Sequence, residues 1–200
     1  MREVVAGVWH WTAPHPEWVS DADWPELVSS YAIDDGEHLL LIDPIAPEGV
    51  VDELAVGRTP AVVLTCPWHE RDARGLAVDG DLPVFTPAPE EGSSDLSWLP
   101  ASAKGHLFQA GENLPVGVHS VPGLRENDLV LWIEARKALV FGDTLIDRGD
   151  GLVLPREWVD ESQVDDILAG LRILLQLPVE LVLPTHGEPT DRAALERALG

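Results

Sequence analysis

Basic side chains are scarce. Only 13 Lys and Arg stand against 35 Asp and Glu among 200 residues, a formal net charge of −22. Sequence-independent binding to nucleic acid or anionic lipid needs clustered Lys and Arg, so this balance argues against both. Cysteine is scarcer still. Cys66 stands alone, which excludes an intramolecular disulfide and fits a reducing, cytoplasmic setting. No apolar run approaches the ~20 residues of a membrane span. The opening MREVVAGVWHW lacks the charged-then-apolar layout of a signal peptide. Repeats at solenoid periods are missing too. What is present is a globular composition, 45% apolar with Gly and Pro scattered, of a length that suits one domain over residues 1–200.

Strand-like runs alternate with turns through the first half. Val4 to Trp11 is one. Val28 to Ile33 and His38 to Ile42 read as a hairpin around Asp34-Asp35-Gly36. Pro47 to Val56 reads as a helix, Ala61 to Thr65 as a buried strand, Arg71 to Val78 as a helix and Pro83 to Thr86 as a strand. Residues 87 to 104, rich in Pro, Ser, Gly and acids, read as a surface loop with a helical turn near Trp98. Val116 to Val121 is strand-like, and Leu129 to Glu134 with Ala138 to Phe141 form a second hairpin. Val164, Ile167, Leu168, Leu171, Leu174 and Leu175 follow helical spacing behind Asp160 and Gln163, which resemble a capping box. Glu180 to Leu183 is a short strand, and Thr190 starts a last helix ending at Gly200. Helices spread among strands in this way predict layered α and β elements.

The chemistry-bearing residues sit at strand ends. Leu64 to Ala77 reads LTCPWHERDARGLA, Pro122-Gly123-Leu124 follows one strand-like run, Gly142-Asp143 another, and His186-Gly187 a third. Earlier, LLLIDPIAP carries Asp43 beside Pro44. In order and spacing these places resemble the metallo-β-lactamase superfamily, with its T-H-x-H-x-D-H loop, P-G-H, G-D and late H-G. The resemblance covers nearly the whole chain. It implies an α/β (α+β) fold, a four-layer αββα sandwich of two mixed sheets with outer helices, and an active site on loops at one sheet edge. It also implies two divalent metals that activate a water against an ester, amide, thioester or phosphoester.

This sequence departs from that pattern. Counted forward from Leu64-Thr65, Cys66 and Trp68 take the first two His positions, and Glu70 and Arg71 take the Asp and His positions. Leu124 takes the P-G-H position and cannot ligate. Counted backward from Gly75-Leu76-Ala77, the loop offers His69 and Asp72, which with Asp143 and His186 make four N and O donors. Those four suit one zinc, manganese or iron, and not a dinuclear centre. Arg71 raises the opposite expectation: a guanidinium paired with Asp143 replaces the metal's charge and leaves no metal.

Further candidates are Cys66 as a soft ligand or an inert buried thiol, and Glu70 as base or ligand. The HWTAPHPEW stretch adds Trp11 and His15, as an aromatic lid or a packed edge. The first reading is therefore a hydrolase of a small ester-like substrate with at most one metal. Asp143 and His186 hold it, and His69, Glu70 or Asp72 complete the ligand set or take the proton. The second is a metal-free small-molecule binder in which Arg71, Cys66, Trp68, His15 and Trp11 line the pocket. The third is an assembly role for the Trp-rich N-terminus.

Overall fold

The computed structural model describes residues 1–89, 96–99 and 105–200. The first half lays down β1 (Arg2–Val5), β2 (Val8–Pro14), β3 (Leu27–Asp34), β4 (His38–Ile42), β5 (Thr59–Val63), β6 (Val84–Pro87) and β7 (Gly105–Phe108). Helices α1 (Val50–Leu54) and α2 (Ala73–Val78) lie between them. The strands form one mixed sheet in sequence order, antiparallel from β1 to β4 and parallel from β4 to β7. The second half adds β8 (Asn113–Leu114), β9 (Val118–Arg125), β10 (Asp128–Ile133) and β11 (Ala138–Phe141). After them come a small hairpin of β12 (Ile146–Asp147) and β13 (Leu152–Val153), α3 (Val164–Leu171), β14 (Leu181–Pro184), β15 (Thr190–Asp191) and α4 (Arg192–Leu199). Their sheet runs β15–β14–β11–β10–β9–β8, with β11 and β14 parallel and the other pairs antiparallel.

Side-chain alternation turns these sheets into layers. In β4, Leu40 and Ile42 pack with Leu131, Ile133, Val140 and Leu183 of the second sheet, so they fill the space between sheets. Leu39 and Leu41 pack the other way, against Val50 and Leu54 of α1 and Ala73 and Ala77 of α2. The second sheet does the same: Val130, Trp132, Leu139 and Val182 face Val164 and Leu171 of α3 and Leu195 and Leu199 of α4. Helix, sheet, sheet and helix follow in that order, as expected. Both faces of β4 and β10 are covered, which is why HLLLI and DLVLWI are near-continuous apolar runs.

Several local expectations change. The run from Val4 to Trp11 is two strands, because Gly7 takes a left-handed φ of 78° that turns β1 into β2. Thr190 belongs to β15, and the Asp191 carboxylate caps α4 by accepting from Ala194 N. Asp160 caps its helix through Ser162 N rather than through a reciprocal box with Gln163. Of the loop expected over 87–104, residues 90–95 and 100–104 lie outside the described residues, and Pro87 is the last residue of β6. Strands β7, β8, β12 and β13 carry no clear alternation and were not expected. Among the described residues no helix is long and apolar enough to cross a membrane.

The topology gathers the chemistry on one edge. Asp43 follows β4, the Leu64–Asp72 loop follows β5, Gly142-Asp143 follows β11, and Thr185-His186 follows β14. All four are the carboxyl ends of parallel-paired strands. Backbone bonds stitch the two sheets together at that edge, Leu129 N to Thr65 O at 2.9 Å and Ser29 N to Thr185 O at 2.8 Å. Gly142 has to be glycine, because a Cβ there would sit inside contact distance of Thr65 Oγ1 and Asp128 Oδ1.

Candidate functional site

Local chain geometry sets the first pair of donors. His69 N donates to Cys66 O at 3.2 Å, closing a turn with Pro67 as its second residue. The turn folds Cys66 back beside His69, so residues from both ways of counting the loop reach the site. The next turn, closed by Ala73 N on Glu70 O, forces Arg71 to a left-handed φ of 43°. That swings Asp72 outward, where its carboxylate accepts from Ala46 N at 2.7 Å. Asp72 therefore stands outside the cluster that the backward count drew for it.

Beneath the site lies Asp43, fully buried. Its carboxylate accepts from Thr65 N at 2.9 Å and from the Thr65 hydroxyl at 2.5 Å. His69 Nδ1 lies 2.8 Å from Asp43 Oδ2. A carboxylate only accepts, so Nδ1 carries the hydrogen and Nε2 faces the other way. There it stands 3.4 Å from Asp143 Oδ1, and His186 Nε2 stands 3.3 Å from the same oxygen. The second oxygen of Asp143 accepts from the Trp68 indole at 2.8 Å. Cys66 Sγ, a His69 nitrogen and an Asp143 oxygen lie within 4.8 Å of one another, a group that can hold a metal ion.

The charges are strongly coupled. Burial alone would raise Asp143, but His69 and His186 outweigh it and hold its carboxyl well below the usual range. Burial would likewise lower His69, yet nearby negative charge raises it well above an ordinary imidazole. Cys66 contributes to that only as a thiolate, and burial pushes its thiol up and keeps it neutral. The carboxylates of Asp43 and Asp143 are therefore the real partners of His69. His186 is lowered by burial despite Asp143, so it is neutral at pH 7. With no metal, an imidazolium at His69 joins the two carboxylates.

Above this floor is a cavity of about 420 Å³ lined by His15, Trp24, Trp68, Leu124, Arg125, Trp158 and other side chains. Trp24 and Trp158 meet the His186 ring edge-on at 5.6 and 6.3 Å. Trp158 donates its indole hydrogen to Asp23 Oδ2 at 2.6 Å, and Arg125 stacks over Trp68 at 5.8 Å. Arg148 likewise lies over the Trp158 ring at 5.6 Å, so two of the wall indoles carry a guanidinium on one face. His15 is lowered to about 4 by burial and by the charges of Arg71, His69 and His186. Its Nδ1 accepts from Glu17 N at 3.2 Å, so the neutral ring carries its hydrogen on Nε2.

The remaining expected residues lie elsewhere. Glu70 pairs with Arg74 at 2.9 Å and lines a neighbouring hollow with Arg71, not the cavity over Asp143. Trp11 is buried under the outer layer and donates to Ile45 O at 2.6 Å, so it is packing, not lid. Arg71 Nη1 donates to Ser29 O and Asp43 O at 2.8 and 2.7 Å. Among the described residues it forms no ion pair with Asp143, because its reach is spent on those carbonyls. Its Nε and Nη2 are buried and unpartnered.

Sequence reading missed Thr65 as the hub between Asp43 and His69, and missed Trp24, Trp158 and Arg125 as walls. It also missed Asp128. That residue is fully buried, takes the Thr144 hydroxyl at 2.7 Å and lies 3.3 Å from Asp143 N. Burial and then the Asp143 charge push its carboxyl up to about 7. An acid opening the otherwise apolar run DLVLWI was the available signal.

No protein-family model matches the sequence, and neither does any curated protein. Solved structures do match. A metallo-β-lactamase from Pontibacter korlensis aligns over 99% of this chain and 95% of its own, with a TM-score of 0.67 and 16% identity. TTHA1623, solved in a di-iron-bound form, aligns over 87% of this chain and 94% of its own, with a TM-score of 0.62 and 26% identity. The archaeal metallo-β-lactamase superfamily protein ST1585 from Sulfolobus tokodaii aligns over 94% of this chain and 83% of its own, with a TM-score of 0.64 and 14% identity. This chain therefore has the fold of the metallo-β-lactamase superfamily.

Proposed function

We propose that this protein is a hydrolase of small ester-like substrates that works with one divalent metal, held by His69 Nε2, His186 Nε2 and Asp143 Oδ1. The observation that carries this reading is the pair of separations from Asp143 Oδ1, 3.4 Å to His69 and 3.3 Å to His186. Both exceed the ~2.7–2.9 Å of a charge-assisted hydrogen bond. Asp143 Oδ1 is thus the atom both imidazoles would share through a metal; the donors that lie mutually within 4.8 Å are those of Cys66, His69 and Asp143, and His186 is joined to them through Asp143. The Asp43–His69 contact supplies the orienting carboxylate that metal-bound histidines use.

A metal held there supplies Lewis acidity and a water acidic enough to react near neutral pH. The chain's own residues do the rest. Trp68 fixes the Asp143 carboxylate so that Oδ1 stays turned to both imidazoles. Trp24, Trp158 and Leu124 wall off bulk water and suit a flat apolar group on the substrate. His15 brings a neutral N–H donor to the cavity lining, and Arg125 brings a permanent cation for charge developing on oxygen. Elemental analysis, paired with hydrolysis assays on aryl and alkyl esters, tests the reading. His69→Ala and His186→Ala should lose metal and hydrolysis together, and hydrolysis that survives chelation would sink it.

A second reading rests on Arg71, whose buried Nε and Nη2 have no partner beside a hollow of about 430 Å³ that it shares with Arg74. In it the protein binds a small anion without metal, and binding persists in chelator.

A further inference from the structure

The three donors above leave out the nearest soft atom. Cys66 is fully buried, and its sulfur lies within 4.8 Å of the His69 and Asp143 donor atoms. A buried thiol at a strand end needs no such company. Pro67 makes the turn that puts it there, and Thr65 Oγ1, at 3.9 Å, is spent on Asp43. His186 joins this group through Asp143, its Nε2 lying 3.3 Å from Asp143 Oδ1.

We infer that Cys66 is the fourth protein donor of the metal site, as a thiolate, so that the site is a sulfur, two-nitrogen, one-oxygen set. The inference rests on the single-metal reading and sharpens it. A thiolate selects zinc, cobalt or iron over manganese and magnesium, which favour oxygen donors. Binding breaks the Cys66 S–H bond and forms a sulfur–metal bond, and the proton leaves to solvent. Cys66, His69, Asp143 and His186 would hold the metal, and the hydrolytic reading would require it to accept a water or substrate oxygen beyond these four. The first His of the superfamily loop is thereby replaced by a donor of different chemistry, not simply lost.

The test uses the full chain loaded with cobalt(II) and, separately, with zinc. The cobalt form should show the near-ultraviolet sulfur-to-cobalt charge-transfer band, and Cys66→Ser should abolish it while still binding metal at least tenfold more weakly. X-ray absorption of the zinc form should show one sulfur at about 2.3 Å beside nitrogen and oxygen at about 2.0–2.1 Å. Circular dichroism of Cys66→Ser and of Cys66→Ala confirms that the fold is kept. Metal bound at full stoichiometry with no sulfur shell would overturn the Cys66 inference and leave the single-metal reading standing. No metal bound at all would overturn both.

Discussion

Asp43 Oδ2 lies 2.8 Å from His69 Nδ1 at the floor of the cavity, and Asp43 is fully buried. This contact fixes the ring so that Nε2 points at Asp143. Asp43→Asn keeps an oxygen for Thr65 but weakens the hold on His69. Metal affinity should fall by about 10–100-fold, as for other orienting carboxylates. Competition against a chromophoric chelator measures it, and unchanged affinity would show that His69 needs no orienting partner.

The Trp68 indole acts on Asp143 at 2.8 Å. Trp68→Phe keeps most of the wall and removes the donor. The folded state should lose about 1.5–3 kcal/mol, the range for hydrogen bonds to charged groups. Urea unfolding of the metal-free protein measures this, and a loss confined to substrate affinity would mean that Trp68 serves only as wall.

Asp128 should make the metal-free protein less stable in mild alkali. Its carboxyl is raised from 3.8 to about 7. The stabilisation it gives is therefore complete below its ordinary 3.8 and is lost as pH rises to about 7, where a second buried charge forms beside Asp143. The full effect is up to ~4 kcal/mol. Asp128→Asn mimics the protonated acid, so its melting temperature should exceed that of the parent by several degrees at pH 8 and match it near pH 4. Parallel curves for the two proteins would contradict this.

Metal binding should strengthen with pH. His69 is raised well above an ordinary imidazole, so over the neutral range it holds a proton that the metal must displace. Apparent affinity should therefore climb from pH 6 to 8, with proton release measurable by calorimetry in buffers of different ionisation enthalpy. The Cys66 thiol, also protonated in the metal-free protein, adds to this release if it ligates, and a flat profile would contradict proton displacement from either residue.

Gly142→Ala should be among the most damaging small changes. Its Cβ meets Thr65 Oγ1 and Asp128 Oδ1, the two groups on either side of the strand end. Overpacking of this kind costs about 1–3 kcal/mol. Denaturant midpoints measure it.

The layers were legible because alternation and apolar runs write them directly: β4, β5, β10 and β11 can be read from HLLLI, AVV, DLVLWI and ALVF. Short edge strands such as β7 and β12 were not, since pairing with a neighbour defines them and local preference does not. Asp143 and His186 were legible because each follows a strand. The loop from Cys66 to Asp72 was not, because two tight turns decide which side chains point inward. Counting along the sequence treats that loop as extended. Folded, it delivers Cys66 and His69 together, sends Asp72 outward and ties Arg71 to carbonyls.

The measurement that bears most directly on the central claim is the metal content of tag-free protein, loaded with zinc, desalted and analysed for the element. One tightly held zinc per chain, lost in His69→Ala and in His186→Ala, is the expected result. A chain that retains none, with both variants indistinguishable from the parent, would contradict the account and leave the His69 imidazolium as the permanent occupant of the space between Asp43 and Asp143.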